Sequence, residues 1–186
     1  MLASLYGKVC RFNESKVRPM GRNASGVRGI NLDETENKNN EVIGMICIDN
    51  PESNVLVVSE NGYGKRSDIE EYRVTNRGGK GVKTINVTDK TGHLVAIKSV
   101  TDANDLMIIT KNGITIRMNV SDLRVMGRAT QGVRLINIQD SDAIAAVTKV
   151  DHEDEEVEFN GENGTDSSNE NINSEENKGE GNNDTQ

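Results

Sequence analysis

Aromatic side chains are scarce in this chain: three Tyr, two Phe and no Trp among 186 residues. Aromatics supply much of the buried area of a compact core. With a hydrophobic fraction of 33% as well, part of the chain is expected to stay unfolded. Long apolar runs are missing too. The longest, "NVLVVSE" and "GMICI", are strand-sized, which argues against a transmembrane helix. Met1-Leu2-Ala3 lacks the charged and apolar regions of a signal peptide. Cys10 and Cys47 form no CxxC pair and have no His nearby, a usage that suits a reducing cytoplasm and reads as two small buried hydrophobes. The two histidines, His93 and His152, lie far apart, so neither a metal set nor a catalytic triad is expected.

Net charge conceals a split. Residues 151–186 carry thirteen Asp and Glu against one Lys, and the preceding 150 residues carry 21 Lys and Arg against 17 acids. The overall charge of −8 therefore describes neither part. The acidic segment is polar, rich in Gly and Asn, and too poor in apolar residues to offset the entropy of ordering. It reads as a disordered tail.

What is present is a repeat. "LYGKVCRFNESKVRPMGRNASGVRGI" (5–30), "NGYGKRSDIEEYRVTNRGGKGVKTI" (61–85) and "KNGITIRMNVSDLRVMGRATQGVRLI" (111–136) align without gaps. Gly7, Gly62 and Gly113 correspond at offsets of 55 and 51 residues. Gly26, Gly81 and Gly132 correspond at the same offsets, as do Val27, Val82 and Val133, and Ile30, Ile85 and Ile136. Asn61-Gly62 and Asn112-Gly113 predict hairpin turns, since both residue types tolerate positive φ. Four short strands per unit of about 40–55 residues predict an all-β fold of propeller blades. The units fall at about 1–32, 41–87 and 92–138, with a closing strand over 143–150; residues 1–150 form the folded part and 151–186 the tail. Three blades do not close a wheel, so the chain is expected to be a piece of a larger one.

Cations recur at equal positions in each unit: Arg11, Arg66 and Arg117; Arg18, Arg73 and Arg124; Arg22, Arg77 and Arg128; Arg28, Lys83 and Arg134. Repetition in a wheel places each set at one height and radius, making a belt. Guanidinium matches phosphate geometry and its binding releases counterions, so the belt suits duplex DNA. Each arginine has a second reading, as a blade-to-blade tie: Asp68, Glu70 and Glu71 lie close enough in sequence to pair with Arg66 or Arg73. Alternation along a strand sets Arg28, Lys83 and Arg134 on the same face as Ile30, Ile85 and Ile136.

The second unit carries a glycine-dense turn, Arg77-Gly78-Gly79-Lys80-Gly81. It is no Walker loop, lacking the long glycine spacing and the Ser or Thr after Lys. Gly78, Gly79 and Lys80 are expected to let backbone approach a phosphate closely. Tyr6, Tyr63 and Tyr72 read as packing residues, Tyr63 and Met126 being the few candidates for an apolar docking patch on a propeller that binds protein partners. Asp102, Asn104 and Asp105 read as turn formers. No catalytic residue or metal site is expected.

At "RFNESKVRPMGRNASGVRGI", "YRVTNRGGKGVKTI" and "VSDLRVMGRATQGVRLI" the sequence resembles the C-terminal domain family of DNA gyrase A subunits, over residues 2–150. The resemblance implies a six-bladed β-pinwheel whose basic rim wraps double-stranded DNA, supporting ATP-dependent negative supercoiling by a type II topoisomerase. It implies an A2B2 holoenzyme with the gyrase B protein, ATP and Mg2+ used by other domains and by that partner, an active-site Tyr outside this sequence, and a cytoplasmic, chromosome-associated bacterial setting. It also implies an acidic tail that competes with DNA for the rim. The family's box, Gln-Arg-Arg-Gly-Gly-Arg/Lys-Gly, is matched only in its last five positions by Arg77–Gly81, after Thr75 and Asn76. The intact box is expected upstream, and the related domain of the topoisomerase IV A protein is the alternative.

Overall fold

A computed structural model describes residues 1–32, 39–139 and 141–151; the acidic tail lies outside the described residues but for Asp151. Among the described residues, eleven strands and three single-turn 3-10 segments account for the regular structure. Each repeat contributes a hairpin. β1 (Leu2–Ser4) and β2 (Lys8–Cys10) meet at Gly7, β4 (Asn54–Ser59) and β5 (Tyr63–Asp68) at Gly62, and β8 (Asn104–Thr110) and β9 (Thr115–Asn119) at Gly113. All three glycines have the positive φ such a reversal needs: 74°, 81° and 86°.

Three antiparallel sheets result, with strands grouped differently from the sequence expectation. β3 (Val42–Met45) pairs with β1, β7 (Leu94–Val100) with β4, and β11 (Ile144–Asp151) with β8. The strand expected to open each unit thus completes the sheet before it. β6 (Val82–Lys83) also leaves its own unit and adds to the edge of β2, with Val9 opposite Val82 and Lys8 opposite Lys83. β10 (Val133–Arg134) adds to β5 in the same manner, Gly64 opposite Val133 and Tyr63 opposite Arg134. The sheet orders are β3-β1-β2-β6, β10-β5-β4-β7 and β11-β8-β9. Periodicity reports which residues form strands, but not which edge a two-residue strand selects.

The repeated glycines give the reason for this exchange. A Cβ on Gly81 would lie 2.7 Å from the Val9 carbonyl oxygen, and one on Gly132 would lie 2.6 Å from that of Gly64. Only glycine lets the exchanged strand lie against the neighbouring backbone.

Two cores lie on opposite faces of the middle sheet. Val55 and Val57 of β4 pack with Ala3, Val9, Ile69, Tyr72, Ile85 and Leu94. Leu56 and Val58 face the other way, among Leu106, Ile108, Val120, Leu123 and Ile136. Burial on both faces explains why "NVLVV" is continuously apolar. Each such buried side chain contributes about 1.5–3 kcal/mol.

Candidate nucleic-acid interface

The four cation sets do not share one environment. Arg11 sits at the end of β2 and reaches forward to the 3-10 turn of the next unit, Ile69–Glu71. Its Nη1 donates to the carbonyls of Ile69 and Tyr72, each at 2.9 Å, and its Nη2 lies 3.4 Å from a Glu70 carboxylate oxygen. Arg66 repeats the arrangement one unit on. It is buried at 8% exposure, donates through Nε to the Leu123 carbonyl and pairs with Asp102. Backbone bonds run alongside, from Thr75 N–H to the Arg11 carbonyl at 2.8 Å and from Met126 N–H to that of Arg66 at 2.9 Å. Arg117 holds the same position in the last unit but is half exposed, donating to Asp105 at 2.7 Å. The acids expected near Arg66 therefore act elsewhere: Glu70 serves Arg11, while Asp102, read as a turn former, serves Arg66 from 36 residues away.

The Arg22, Arg77 and Arg128 set reaches backwards where it is tied. Arg77 donates through Nε to the Lys16 carbonyl at 3.0 Å and through Nη1 to that of Arg28 at 3.1 Å. Arg128 donates to the Lys83 carbonyl at 2.8 Å. Arg22 is exposed, and no described residue pairs with it. The glycine-dense turn is engaged as well. Gly78 N–H donates to the Gly29 carbonyl at 2.7 Å, and the Gly79 carbonyl accepts from Asn31 N–H at 2.9 Å. The Gly78 amide thus bonds to the preceding repeat, while Lys80 is exposed.

Arg18, Arg73 and Arg124 are exposed in all three units, and no described residue hydrogen-bonds or ion-pairs with any of them. Each is followed by Pro19, Val74 or Val125, of which Val74 and Val125 are 59% and 50% exposed. The last set, Arg28, Lys83 and Arg134, is exposed too. Simple alternation fails because β6 and β10 are two residues long, so the chain bends before Ile85 and Ile136 turn inward. Arg134 donates at 3.0 Å to the Tyr63 hydroxyl, which lowers that phenol's pKa.

Other residues depart from the sequence expectation. Cys10 is buried but Cys47 is exposed. Tyr63, a candidate for an apolar docking patch, is 7% exposed and covered by Arg134 and Lys90. Tyr72 is fully buried with its hydroxyl 2.6 Å from Thr84 Oγ1, and burial raises its pKa. Lys65 carries no signal in the sequence. Its side chain is buried and donates to the Gly127 carbonyl at 2.5 Å, and burial lowers its pKa to about 8. Cys10 fills the equivalent slot in the first unit, so the repeat does not mark the lysine. Among the described residues no cluster of metal-ligating side chains occurs, and no helix is long and apolar enough to cross a membrane.

Three consecutive windows of the chain, residues 1–49, 53–101 and 104–151, match the family model of the DNA gyrase C-terminal domain, beta-propeller. The chain belongs to the DNA gyrase C-terminal domain family. Each window of this gyrase-type domain holds one hairpin and the strand that completes its sheet. The chain is similar to the DNA gyrase A protein of Staphylococcus epidermidis, 45% identical over 156 residues, covering 83% of this chain and 17% of that protein. It is 46% identical over 161 residues to the DNA gyrase A protein of Staphylococcus aureus, covering 86% and 18%. It thus spans about a sixth of the curated relatives it matches. Among solved structures, a DNA gyrase A C-terminal domain superposes with TM-score 0.71 at 26% identity, over 80% of this chain and 49% of that one. The C-terminal domain of a DNA topoisomerase IV superposes with TM-score 0.74 at 22% identity, over 81% and 46%, a likeness of fold.

Proposed function

We propose that this gyrase-type domain binds and wraps double-stranded DNA along a basic rim, as part of a type II topoisomerase that supercoils DNA negatively with ATP. The observation that carries this reading is the exposed set Arg18, Arg73 and Arg124, one per repeat, with no described partner. Exposed guanidinium groups at corresponding positions of successive repeats suit duplex phosphates, which are contacted without reading sequence. Arg22, Lys80 and the outward-facing Arg28 and Lys83 extend the same positive surface. Arg77 and Arg128 lie partly exposed and add charge while tied to neighbouring carbonyls.

The relatives' names support reading the chain as part of the A protein of a bacterial gyrase; the proposal extends this to an A2B2 enzyme with the B protein. In that enzyme, ATP and Mg2+ are used by other domains and by the B protein, in a cytoplasmic, chromosome-associated setting. Strand cleavage belongs to a Tyr elsewhere in such an enzyme. The acidic segment 151–186 competes with DNA for the rim, its carboxylates being drawn to the same cations as the phosphates.

Equilibrium binding to a linear duplex tests the reading. Log affinity is expected to fall linearly with log salt, by about 0.9 per phosphate neutralised. Deleting residues 152–186 is expected to tighten binding; unchanged affinity would show that the tail does not compete. Salt-insensitive or absent binding by a folded chain would overturn the DNA assignment.

A further inference from the structure

We infer that Lys8, Lys83 and Arg128, one cation from each repeat, form a single phosphate-binding junction, so that one backbone phosphate of bound DNA ties three repeats together. The inference deepens the DNA reading and rests on it. Lys8 stands outside the four recurring cation sets, and the strand exchange alone brings it to the other two. β6 lies on β2 with Lys83 directly opposite Lys8. Side chains paired in this way leave the same face of a sheet with Cβ atoms about 4.5–5.5 Å apart. Arg128 joins them from the third repeat, its Nη1 donating to the Lys83 carbonyl at 2.8 Å.

The equivalent place at the β5–β10 joint shows what is different here. There Tyr63 stands opposite Arg134, and its phenol oxygen accepts from Arg134 Nη2 at 3.0 Å. That opposed pair is satisfied within the protein. Lys8 and Lys83 fill the same two positions with like charges, an arrangement that weakens a strand pair. Nothing described relieves it. Lys83 Nζ donates to the neutral amide oxygen of Asn86 at 3.3 Å, and the Lys8 amine has no described partner. Glu71 reaches Arg128, but its carboxylate accepts from the backbone N–H at 3.3 Å. Among the described residues no carboxylate ion-pairs with any of the three cationic side chains.

Lys83 is exposed and Lys8 and Arg128 are half-buried, so an anion reaches the cluster from solvent. A phosphodiester offers one negative charge and several acceptor oxygens, which suit two ammonium groups and a guanidinium together. Lys83 and Arg128 already belong to the positive surface assigned to duplex DNA, and Lys8 extends that surface across the joint. The repulsion that weakens the joint in the free chain becomes attraction through the shared phosphate. DNA binding and strand exchange then strengthen one another.

Thermal melting and duplex binding of the full chain test this together. Lys8→Gln removes a like charge and a phosphate ligand at once. It is expected to raise the Tm of the free chain while weakening duplex binding by up to about eightfold at 0.1 M salt. The double variant Lys8→Gln, Lys83→Gln is expected to make the log–log salt slope shallower by about 0.9 in total, because one phosphate is lost; two separate contacts would lose about 1.8. Lys8→Glu supplies the missing counter-charge to Lys83, and is expected to melt higher than the parent and to bind DNA more weakly than Lys8→Gln. A fall in Tm for Lys8→Gln, an unchanged affinity, or a slope loss of about 1.8 overturns the shared phosphate while leaving the DNA reading in place. A parent chain whose duplex binding is absent or indifferent to salt overturns the DNA reading itself, and this inference with it.

Discussion

Arg66 and Arg73 lie seven residues apart in one repeat and have opposite surroundings. Arg66 is buried, donates hydrogen bonds to the Leu123 carbonyl and Asp102, and ties one repeat to the next. Arg73 is exposed and without a described partner. Arg11 repeats the first behaviour, Arg18 and Arg124 the second. Recurrence at equal positions therefore has two causes in this domain. A joint that repeats needs the same cation at each crossing, and a surface that repeats presents the same cation at each interval. Sequence register alone does not separate them.

Substitutions separate them by the size of their effect on stability. The largest is expected for Arg66→Ala, which strands a carbonyl at the repeat junction, at about 3 kcal/mol by the worth of hydrogen bonds from charged donors. Thermal melting measures it, and the expected outcome is a clear loss of Tm. Next comes Lys65. Its folded pKa of about 8 lies below the ordinary value of 10.5, so between those two values the unfolded chain binds more protons than the folded one. Stability contributed by the neutral amine is therefore complete above pH 10.5, and is lost as the pH falls through about 8. Urea midpoints across that window are expected to rise by the equivalent of about 1–3 kcal/mol. Lys65→Met should flatten the rise.

Smaller still is Arg117→Ala, which removes a half-exposed pair with Asp105 in a position otherwise equivalent to Arg66. A loss of about 1 kcal/mol or less is expected, as for partly solvated ion pairs. A loss equal to that of Arg66→Ala would erase the distinction between a cation that ties two repeats and one paired within its own. Smallest is Arg73→Ala, expected within about 0.5 kcal/mol of the parent because nothing described rests on it.

Much of the fold is legible in the sequence because its signals are local. Asn-Gly turns place two hairpins, and the fixed spacing of Gly26, Gly81 and Gly132 counts the repeats. The exchange of β6 and β10 is not legible. Its determinant is the close approach of Gly81 and Gly132 to a neighbouring carbonyl, a contact between repeats rather than a pattern within one. The cation sets stand out by their register, but their division does not. Asp102 meets Arg66 from 36 residues away, and the Gly78 amide is taken by Gly29 from the preceding repeat, neither of which leaves a periodic trace. Lys65 is silent for a related reason: its buried side chain ends on the Gly127 carbonyl, 62 residues away in the next repeat.

The division of labour proposed for this domain is that Arg18, Arg73 and Arg124 meet DNA while Arg11 and Arg66 hold the repeats together. Its decisive test is the salt dependence of duplex binding by the triple variant Arg18→Ala, Arg73→Ala, Arg124→Ala, with its melting temperature measured alongside. An unchanged Tm is expected, with a log–log slope shallower by about 2.7, the sum for three lost phosphate contacts. A slope equal to that of the parent chain, or a variant that no longer melts cooperatively, would refute that division.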